Sequence, residues 1–333
     1  MLNEILNVSN LRKYFHVKRG LRDSFHLHGD TQYIKAVDDV SFKINKGEVL
    51  VIAGESGSGK STLARLILRA IEPDSGSISF EGHDITRKRG KELKNFRTKI
   101  QMVQQDPYTS VDPRWRVMDI VSEPLAIHHL CFSKKELEDK VIKALENVRL
   151  EPASEISNMF PHMLSGGQRQ RVALARALVI NPKIIVADEP VSMLDISVRA
   201  EILQLMKALK DKLQISYIYI THDLSTSRYI GDNIAIMYAG KIVETGPINQ
   251  ILLNPLHPYT QALIDAVSEP EPNNLQKEKI IRLKHGASKT YVGCQFCQFC
   301  LYSMDKCSED PILEQKETNH LVSCFLYPKL IQQ

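Results

Sequence analysis

Gly54-Glu55-Ser56-Gly57-Ser58-Gly59-Lys60-Ser61-Thr62 has the form G-x-x-x-x-G-K-[ST], the phosphate-binding loop or Walker A motif. An apolar run, Val49 to Ala53, precedes it and reads as a buried strand; Leu63 to Leu68 follows and reads as a helix. Strand, loop and helix are the setting the motif needs, and with ordinary residue usage a chance match is roughly one in a hundred. A phosphate chain can be cradled by backbone N–H groups where no Cβ intrudes, which Gly54, Gly57 and Gly59 permit. The helix N-terminus adds partial positive charge. Lys60 is expected to reach the β- and γ-phosphates, Ser61 to ligate Mg²⁺ and Thr62 to touch the α-phosphate, with Glu55, Ser56 and Ser58 completing the loop.

The 333 residues suggest two domains or one with an appendage, and at 43% hydrophobic and 25% charged they can bury a sizeable core. A net charge of +4 argues against nucleic acid as the main ligand. No apolar stretch of spanning length occurs. Residues 1–10 carry Glu4 and no long apolar core, so no secretory signal is expected and the chain is expected to be cytosolic. In that compartment cysteines are metal ligands or free thiols more often than disulfides, and five of the six fall between Cys294 and Cys324.

Residues 5–15 and the alternating run Ala36 to Ile44 read as strands, separated by a polar, basic, His-rich loop over 16–35. Asp74-Ser75-Gly76 reads as a turn before a short strand, Ser77 to Phe80. This opening predicts a small antiparallel sheet beside the nucleotide core. Residues 91–99 predict a helix, Ile100 to Val103 a strand, and 115–160 mostly helix, with clear periodicity from Lys134 to Val148. Further strands are predicted at Ile184–Ala187, Ile215–Ile220, Ile234–Tyr238 and Lys241–Glu244, and an amphipathic helix over Glu201–Leu213. Strands alternating with helices, with polar residues at strand ends, indicate a mainly parallel α/β sheet with ligands at the carboxyl ends of its strands. Glu269-Pro270-Glu271-Pro272-Asn273-Asn274 begins a polar linker to the cysteine-rich tail.

Ile184 to Glu189 is four apolar residues followed by Asp and Glu, a Walker B pattern. Asp188 would hold the Mg²⁺ shell and Glu189 would polarise an attacking water; the plainer alternative is an acidic pair capping a helix. Shortly before it, Leu164-Ser165-Gly166-Gly167-Gln168 opens a helix running to Leu178, a second anion-seeking N-terminus. One triphosphate does not need two such sites on one chain. A sandwich resolves this, with Ser165, Gly166 and Gly167 facing the γ-phosphate held by another subunit's Walker A.

With these residues in place the sequence resembles the ATP-binding cassette (ABC) family over residues 5 to about 265. Leu164 to Gln168 is similar to its signature motif, and the order Walker A, Q-loop, signature, Walker B, D-loop, H-loop is preserved. The resemblance implies that Gln105 is the Q-loop residue, linking Mg²⁺ and the attacking water to a transmembrane partner. Ser192-Met193-Leu194-Asp195 resembles the D-loop crossing the dimer seam, with Met where Ala is more usual. His222 is implied to contact the γ-phosphate. Phe15 stands where an aromatic stacks on adenine, with Tyr14 as its neighbour.

A narrower resemblance is to the oligopeptide, dipeptide and nickel importer branch. It rests on Gln101-Met102-Val103-Gln104-Gln105-Asp106-Pro107-Tyr108, with Gln104 where Phe is usual, and on Asn254-Pro255-Leu256-His257-Pro258-Tyr259-Thr260-Gln261-Ala262-Leu263. Cys294, Cys300, Cys307 and Cys324 follow C-x₅-C-x₆-C-x₁₆-C, soft thiolates suited to Fe–S or Zn. The resemblance implies a [4Fe–4S] cluster, with Gly293 and His320-Leu321-Val322 fitting the same pattern. Cys297 is extra, makes a ferredoxin-like triplet with Cys294 and Cys300, and is an alternative ligand; the Arg usual before the second Cys is absent. Zn²⁺ or unmetallated thiols are the alternatives, and Cys131 reads as a packed or free thiol.

The expected architecture is an α/β P-loop NTPase of the ABC type. It has a mainly parallel sheet core, an N-terminal antiparallel β subdomain, a helical subdomain (about 106–166) and a small C-terminal Cys-rich appendage. The cassette is expected over 1–265 and the linker with tail over 266–333. The expected function is an ATPase powering peptide uptake at the cytoplasmic face of the membrane. Its expected partners are a second, non-identical ATPase chain, two permease subunits and a substrate-binding protein, with no nucleic acid. A nickel or other small-solute importer of the same branch, a soluble cassette protein of repair or translation, and a redox sensor acting through the tail are the rival readings.

Overall fold

The computed structural model of the protein describes residues 4–16, 33–106, 112–266 and 293–327. Most of the loop expected at 16–35, the linker beginning at Glu269, and Pro107 and Tyr108 lie outside them. In chain order the first half runs β1 (Glu4–His16), β2 (Tyr33–Asn45), β3 (Val49–Ala53), α1 (Lys60–Ile67), β4 (Ser75–Phe80), β5 (His83–Asp84), α2 (Gly90–Lys99) and β6 (Ile100–Val103). Then come α3 (Val117–His128), α4 (Lys134–Asn147), α5 (Ala153–Ile156), α6 (Gly166–Leu178), β7 (Ile184–Asp188), α7 (Ile196–Leu213), β8 (Ser216–Thr221) and α8 (Leu224–Ile230). The chain closes with β9 (Asn233–Tyr238), β10 (Lys241–Pro247), α9 (Ile248–Leu253), α10 (Pro258–Asp265), β11 (Glu314–Glu317) and β12 (His320–Val322).

Two sheets form. The small antiparallel one has the order β2-β1-β4-β5 and the large one β11-β12-β10-β9-β3-β8-β7-β6. Within the large sheet β6, β7, β8, β3 and β9 run parallel, and β10, β12 and β11 close one side antiparallel. Every residue of β3 and β8 is buried, as parallel strands covered on both faces must be. Because side chains alternate across a strand, each central strand feeds two cores. Val49, Val51, Ala53, Ile185, Ala187, Tyr217 and Tyr219 join the core beneath α3, α4, α6 and α7. Leu50, Ile52, Ile184, Val186, Ile218 and Ile220 face the core shared with the antiparallel sheet and α1. Each such aliphatic side chain contributes about 1.5–3 kcal/mol by its removal from water. The central strands are therefore the most tightly held part of the chain, and their carboxyl ends give the loops between them a rigid base.

Two elements depart from the sequence reading. Ser75 and Gly76 are strand rather than turn, because Ser75 pairs with Arg12 across an irregularity in β1. Gly76 sits at φ +89°, and a Cβ there would meet the Asn10 carbonyl oxygen at 2.4 Å, so only glycine lets the strand continue. Helix α7 begins at Ile196, five residues before the expected Glu201, with Asp195 at its N-cap. Its first turn carries few buried residues, so periodicity there is faint.

The tail is built into the large sheet. β12 pairs with β10 through Glu244↔Val322 and Thr245↔Leu321 and with β11 on its other side. Glu244, fully buried, is the fastening point. Its carboxylate accepts hydrogen bonds from the backbone N–H groups of Leu256 (2.7 Å) and His257 (3.0 Å) and from Nε2 of buried His320 (2.7 Å). One side chain thus ties β10, the start of α10 and β12 together. Replacing it by alanine strands three buried donors, a loss of about 3 kcal/mol. We predict that Glu244→Ala lowers the stability of the full chain by that order in urea unfolding, whereas a change below about 0.5 kcal/mol, the scale of ordinary surface substitutions, would contradict this role.

Candidate functional site

The phosphate loop leaves the buried end of β3 and enters α1 at Lys60. Gly54 and Gly59 have φ of +153° and +105°; a Cβ on either would lie 2.2 Å from the Met237 carbonyl oxygen and 2.0 Å from that of Ala36, respectively. The glycines are therefore required by close backbone packing as well as by the turn. Gly57 has φ +83°, and a Cβ there would meet nothing within 4 Å, so it faces the open side of the loop. Lys60 is only 6% exposed, and its Nζ donates to the carbonyl oxygens of Gly54 and Glu55, both at 2.7 Å, and to Ser58 Oγ at 3.4 Å. Burial pushes its ammonium below the usual lysine range, and the charges of Glu189, Asp188 and Glu55 act the other way. The loop and the acidic strand end are electrostatically joined.

Asp188 ends β7 with its carboxyl hydrogen-bonded by the Ser61 side chain; burial holds it above the usual carboxylate range and neighbouring Glu189 adds to this. Two hard oxygen groups from separate elements meet there, a donor set suited to Mg²⁺. Glu189 adopts φ +48°, a left-handed conformation uncommon for a non-glycine residue. Its carboxylate is gripped from two sides. Gln105 Nε2 donates to Oε2 at 2.8 Å, and His222 Nδ1 is hydrogen-bonded to Oε1 at 2.8 Å. Gln105 and His222, 84 and 33 positions from Glu189 in sequence, thus share one hydrogen-bonded unit with it at the carboxyl ends of β6, β7 and β8.

The signature segment lies elsewhere on the chain's surface. Ser165 caps α6, its Oγ accepting from Gln168 N (3.2 Å) while Gln168 Oε1 accepts from Ser165 N (2.9 Å), a capping box. A Cβ on Gly167 would meet Val198 Cγ1 at 2.6 Å, so α6 approaches α7 closely at this point. Helix α6 packs on α3, α4, β6 and α7, whereas α1 packs on β2 and β7. Gly166 and the exposed Ser165 therefore open a second helix N-terminus away from α1. Beside it, Asp195, Met193 (59% exposed) and Ile196 (84% exposed) present polar and apolar surface together.

Arg199 escaped the sequence reading. Its Nε donates to the Leu194 carbonyl (2.8 Å), one terminal nitrogen donates to that of Ser192 (3.1 Å), and the other lies 3.7 Å from the Asp223 carboxylate. It braces the segment after β7 against the segment after β8. The D-x-x-x-R spacing from Asp195 was the available signal, because side chains in a first helical turn lean back toward the N-terminus. At the other end of the site, the Phe15 ring is 42% exposed, while Tyr14 is occupied by a 2.5 Å hydrogen bond from its hydroxyl to Asp38. Phe15 is thus the ring left available for stacking.

In the tail, Cys294, Cys297, Cys300, Cys307 and Cys324 all line one small cavity of about 20 Å³, together with Phe296, Phe325 and His257. Among the described residues no three His, Cys, Asp or Glu side chains converge on a point as they would around a single ion. Burial pushes the Cys294 thiol up to about 12 and that of Cys324 up to about 11, so both are protonated unless a metal displaces the proton. Cys131 is half-buried against the core by the helices.

Comparison with known proteins identifies the family. The family described as ABC transporter matches residues 37–192, and the oligopeptide/dipeptide transporter C-terminal region matches 243–307. The dipeptide transport ATP-binding protein DppF of Haemophilus influenzae is 43% identical over 324 residues, covering 96% of each chain. The oligopeptide transport ATP-binding protein OppF of Bacillus subtilis is 44% identical over 274 residues, covering 82% of this chain and 85% of that one. Among solved structures, the dimeric ATP-binding cassette MJ0796 in a post-hydrolysis state with ADP and Pi superposes with a TM-score of 0.63 at 30% identity, over 73% of this chain and 99% of that one. The chain belongs to the ABC transporter ATPases, in the group that carries the oligopeptide/dipeptide transporter C-terminal region. Among the described residues no helix is long and apolar enough to cross a membrane.

The buried position of Lys60 gives a direct test. We predict that Lys60→Ala weakens MgATP binding at least a hundredfold, since about 3 kcal/mol of charge-assisted hydrogen bonding to phosphate is removed. Equilibrium titration with a fluorescent ATP analogue measures it; affinity within threefold of the parent chain would exclude the phosphate-loop role.

Proposed function

We propose that this chain is the ATP-hydrolysing subunit of a peptide importer and that it works as one half of a two-cassette sandwich. The observation that carries the reading is the Glu189 carboxylate, held between Gln105 and His222 beside Asp188 and Lys60. A carboxylate oriented from two sides suits a base that polarises water for attack on a γ-phosphate. Gln105 and His222 fix its direction, and Lys60 leaves the loop carbonyls to meet the phosphate oxygens. Thr62, at the start of α1, sits toward the α-phosphate, and Phe15 stacks on the adenine. Ser61, Asp188 and Gln105 would hold Mg²⁺, which supplies neutralisation of the phosphate charge.

The second half of each site comes from a neighbour. Ser165, Gly166, Gly167 and Gln168 form a helix N-terminus that serves the γ-phosphate bound to the other cassette, with Asp195 on the seam. The exposure of Met193 and Ile196 beside it supports this, since closure would cover them. In the importer branch the chain resembles, two different ATPase chains usually pair, and we read the partner here as non-identical. Peptide cargo rests on the dipeptide and oligopeptide transport roles of relatives at 43% and 44% identity. Permease subunits, a substrate-binding protein and a position on the cytoplasmic face of the membrane follow from the same reading. We retain the functional division into a cassette over 1–265, with its helical part at about 106–166, and a tail beyond it, although β11 and β12 complete the cassette's sheet.

For the tail we favour a [4Fe–4S] cluster over zinc. The resemblance to the importer branch supports this, and all five tail cysteines, soft donors, line one cavity. Cys294, Cys300, Cys307 and Cys324 are the proposed ligands, with Cys297 the spare.

Glu189→Gln is expected to retain MgATP binding, to lower turnover of the assembled transporter at least a hundredfold, the usual scale of a general base, and to accumulate closed cassette pairs. Unimpaired turnover would remove Glu189 from the reaction. For the tail, anaerobically purified protein is expected to contain iron and acid-labile sulfide in equal amounts, with Cys307→Ser losing both and Cys297→Ser keeping both. Stoichiometric zinc without iron would replace the cluster reading.

A further inference from the structure

The phosphate loop has one contact that none of its phosphate-binding roles explains. The backbone N–H of Glu55, the second residue of the loop, donates to the hydroxyl of Tyr259 at 2.9 Å, across 204 positions of sequence. Tyr259 is 2% exposed and lies in the first turn of α10. The start of that helix is closely specified. Pro258 takes the first helical position, where a missing N–H costs nothing, and the His257 side chain caps the helix by accepting from Tyr259 N at 3.0 Å. Burial pushes His257 down to about 4, so the ring is neutral and its Nδ1 is free to accept. Glu244 in turn anchors the backbone of Leu256 and His257. A buried chain of hydrogen bonds therefore fixes where the Tyr259 hydroxyl stands.

The ring of Tyr259 is set from the other side. It packs against Tyr238 (centroids 4.5 Å apart) and edge-on to Phe296 (5.5 Å), and Phe296 also meets Tyr238 edge-on at 5.4 Å. Tyr238 follows Met237, whose carbonyl oxygen forbids a side chain on Gly54. Phe296 lies between Cys294 and Cys297 and forms part of the wall of the thiol cavity. One aromatic cluster thus touches the thiol cavity at Phe296 and the phosphate loop at Tyr259.

We propose that Tyr259 is a positioning residue for the phosphate loop, and that the cysteine-rich tail acts on nucleotide binding through the contact of Phe296 with it. The proposal rests on the phosphate-loop reading of residues 54–62. The hydroxyl holds the entrance of the loop in the shape that presents its remaining N–H groups, in the ground state and the transition state alike. Its loss is therefore expressed in nucleotide affinity, not in the chemical step. The tail enters because the ring can keep that hydroxyl in place only while Phe296 packs on it.

The test uses the full chain in its assembled transporter, with Tyr259→Phe, which deletes one oxygen and keeps the ring. KM for ATP is expected to rise five- to tenfold with kcat within twofold of the parent. A purely structural tyrosine would instead reduce the active fraction, lowering kcat at unchanged KM, and that result would overturn the proposal, as would unchanged values of both. Phe296→Leu, which keeps an apolar side chain there, is expected to raise KM similarly. The double variant is expected to be no worse than the more impaired single one, because Phe296 acts only through the Tyr259 hydroxyl. Effects that multiply would sever the tail from the loop. Lys60→Ala separates the two levels of argument: if it binds MgATP normally, the loop reading fails, whereas loss of binding there with a silent Tyr259→Phe removes only the positioning role.

Discussion

The buried ammonium of Lys60 is the constraint around which the site is arranged. It rests on the carbonyl oxygens of Gly54 and Glu55, and the loop curls around its own cation. That curl is possible because Gly54 and Gly59 allow the backbone to approach the carbonyls of Met237 and Ala36, which belong to strands of the two different sheets. The loop is thus the joint between the parallel core and the antiparallel sheet. Asp188 and Glu189 sit within its electrostatic reach, so the cation and the two carboxylates act on one another across the joint.

Around that centre, chemistry is distributed over strand ends that the sheet holds in fixed register. Parallel pairing of β6 with β7 and of β7 with β8 places the segments carrying Gln105, Glu189 and His222 side by side. Once they are neighbours, two hydrogen bonds on Glu189 follow. The left-handed backbone of Glu189 turns the chain out of β7, and Arg199 ties the next segment back to Asp223. Polar contacts a few ångströms long in this way link one strand end to the next.

Much of this arrangement was legible in the residues themselves. Apolar runs closed by polar residues marked the central strands, and the glycine spacing of residues 54–59 marked the loop. The periodicity of Lys134 to Val148 matched α4 closely, with Ser133 capping it through Glu136 N. What remained hidden depended on distance in sequence. Nothing local in His257-Pro258-Tyr259 tells of Glu55, and nothing around Glu244 tells of His320. The β-hairpin of the tail could not be assigned to the large sheet because Glu314-Gln315-Lys316-Glu317 has no apolar alternation and acquires its pairing from β12. Arg199 lies two residues before the helix predicted over Glu201–Leu213, so its place in a helical turn was not legible. The second half of the nucleotide chamber, which we propose lies on another molecule, leaves no local mark in the sequence beyond the surplus of anion-seeking helix ends.

The added hairpin also changes what the large sheet shows to its surroundings. Without it, β10 would be a border strand, presenting unclaimed N–H and C=O groups along Ile242 to Thr245, a stretch that a foreign strand could adopt. With it, the border becomes Glu314 to Glu317, four polar residues of which three are charged. Such a margin is short, and within it Lys316 pairs with Glu314 at 3.1 Å. A short, charged border of this kind resists edge-to-edge association between copies of the chain.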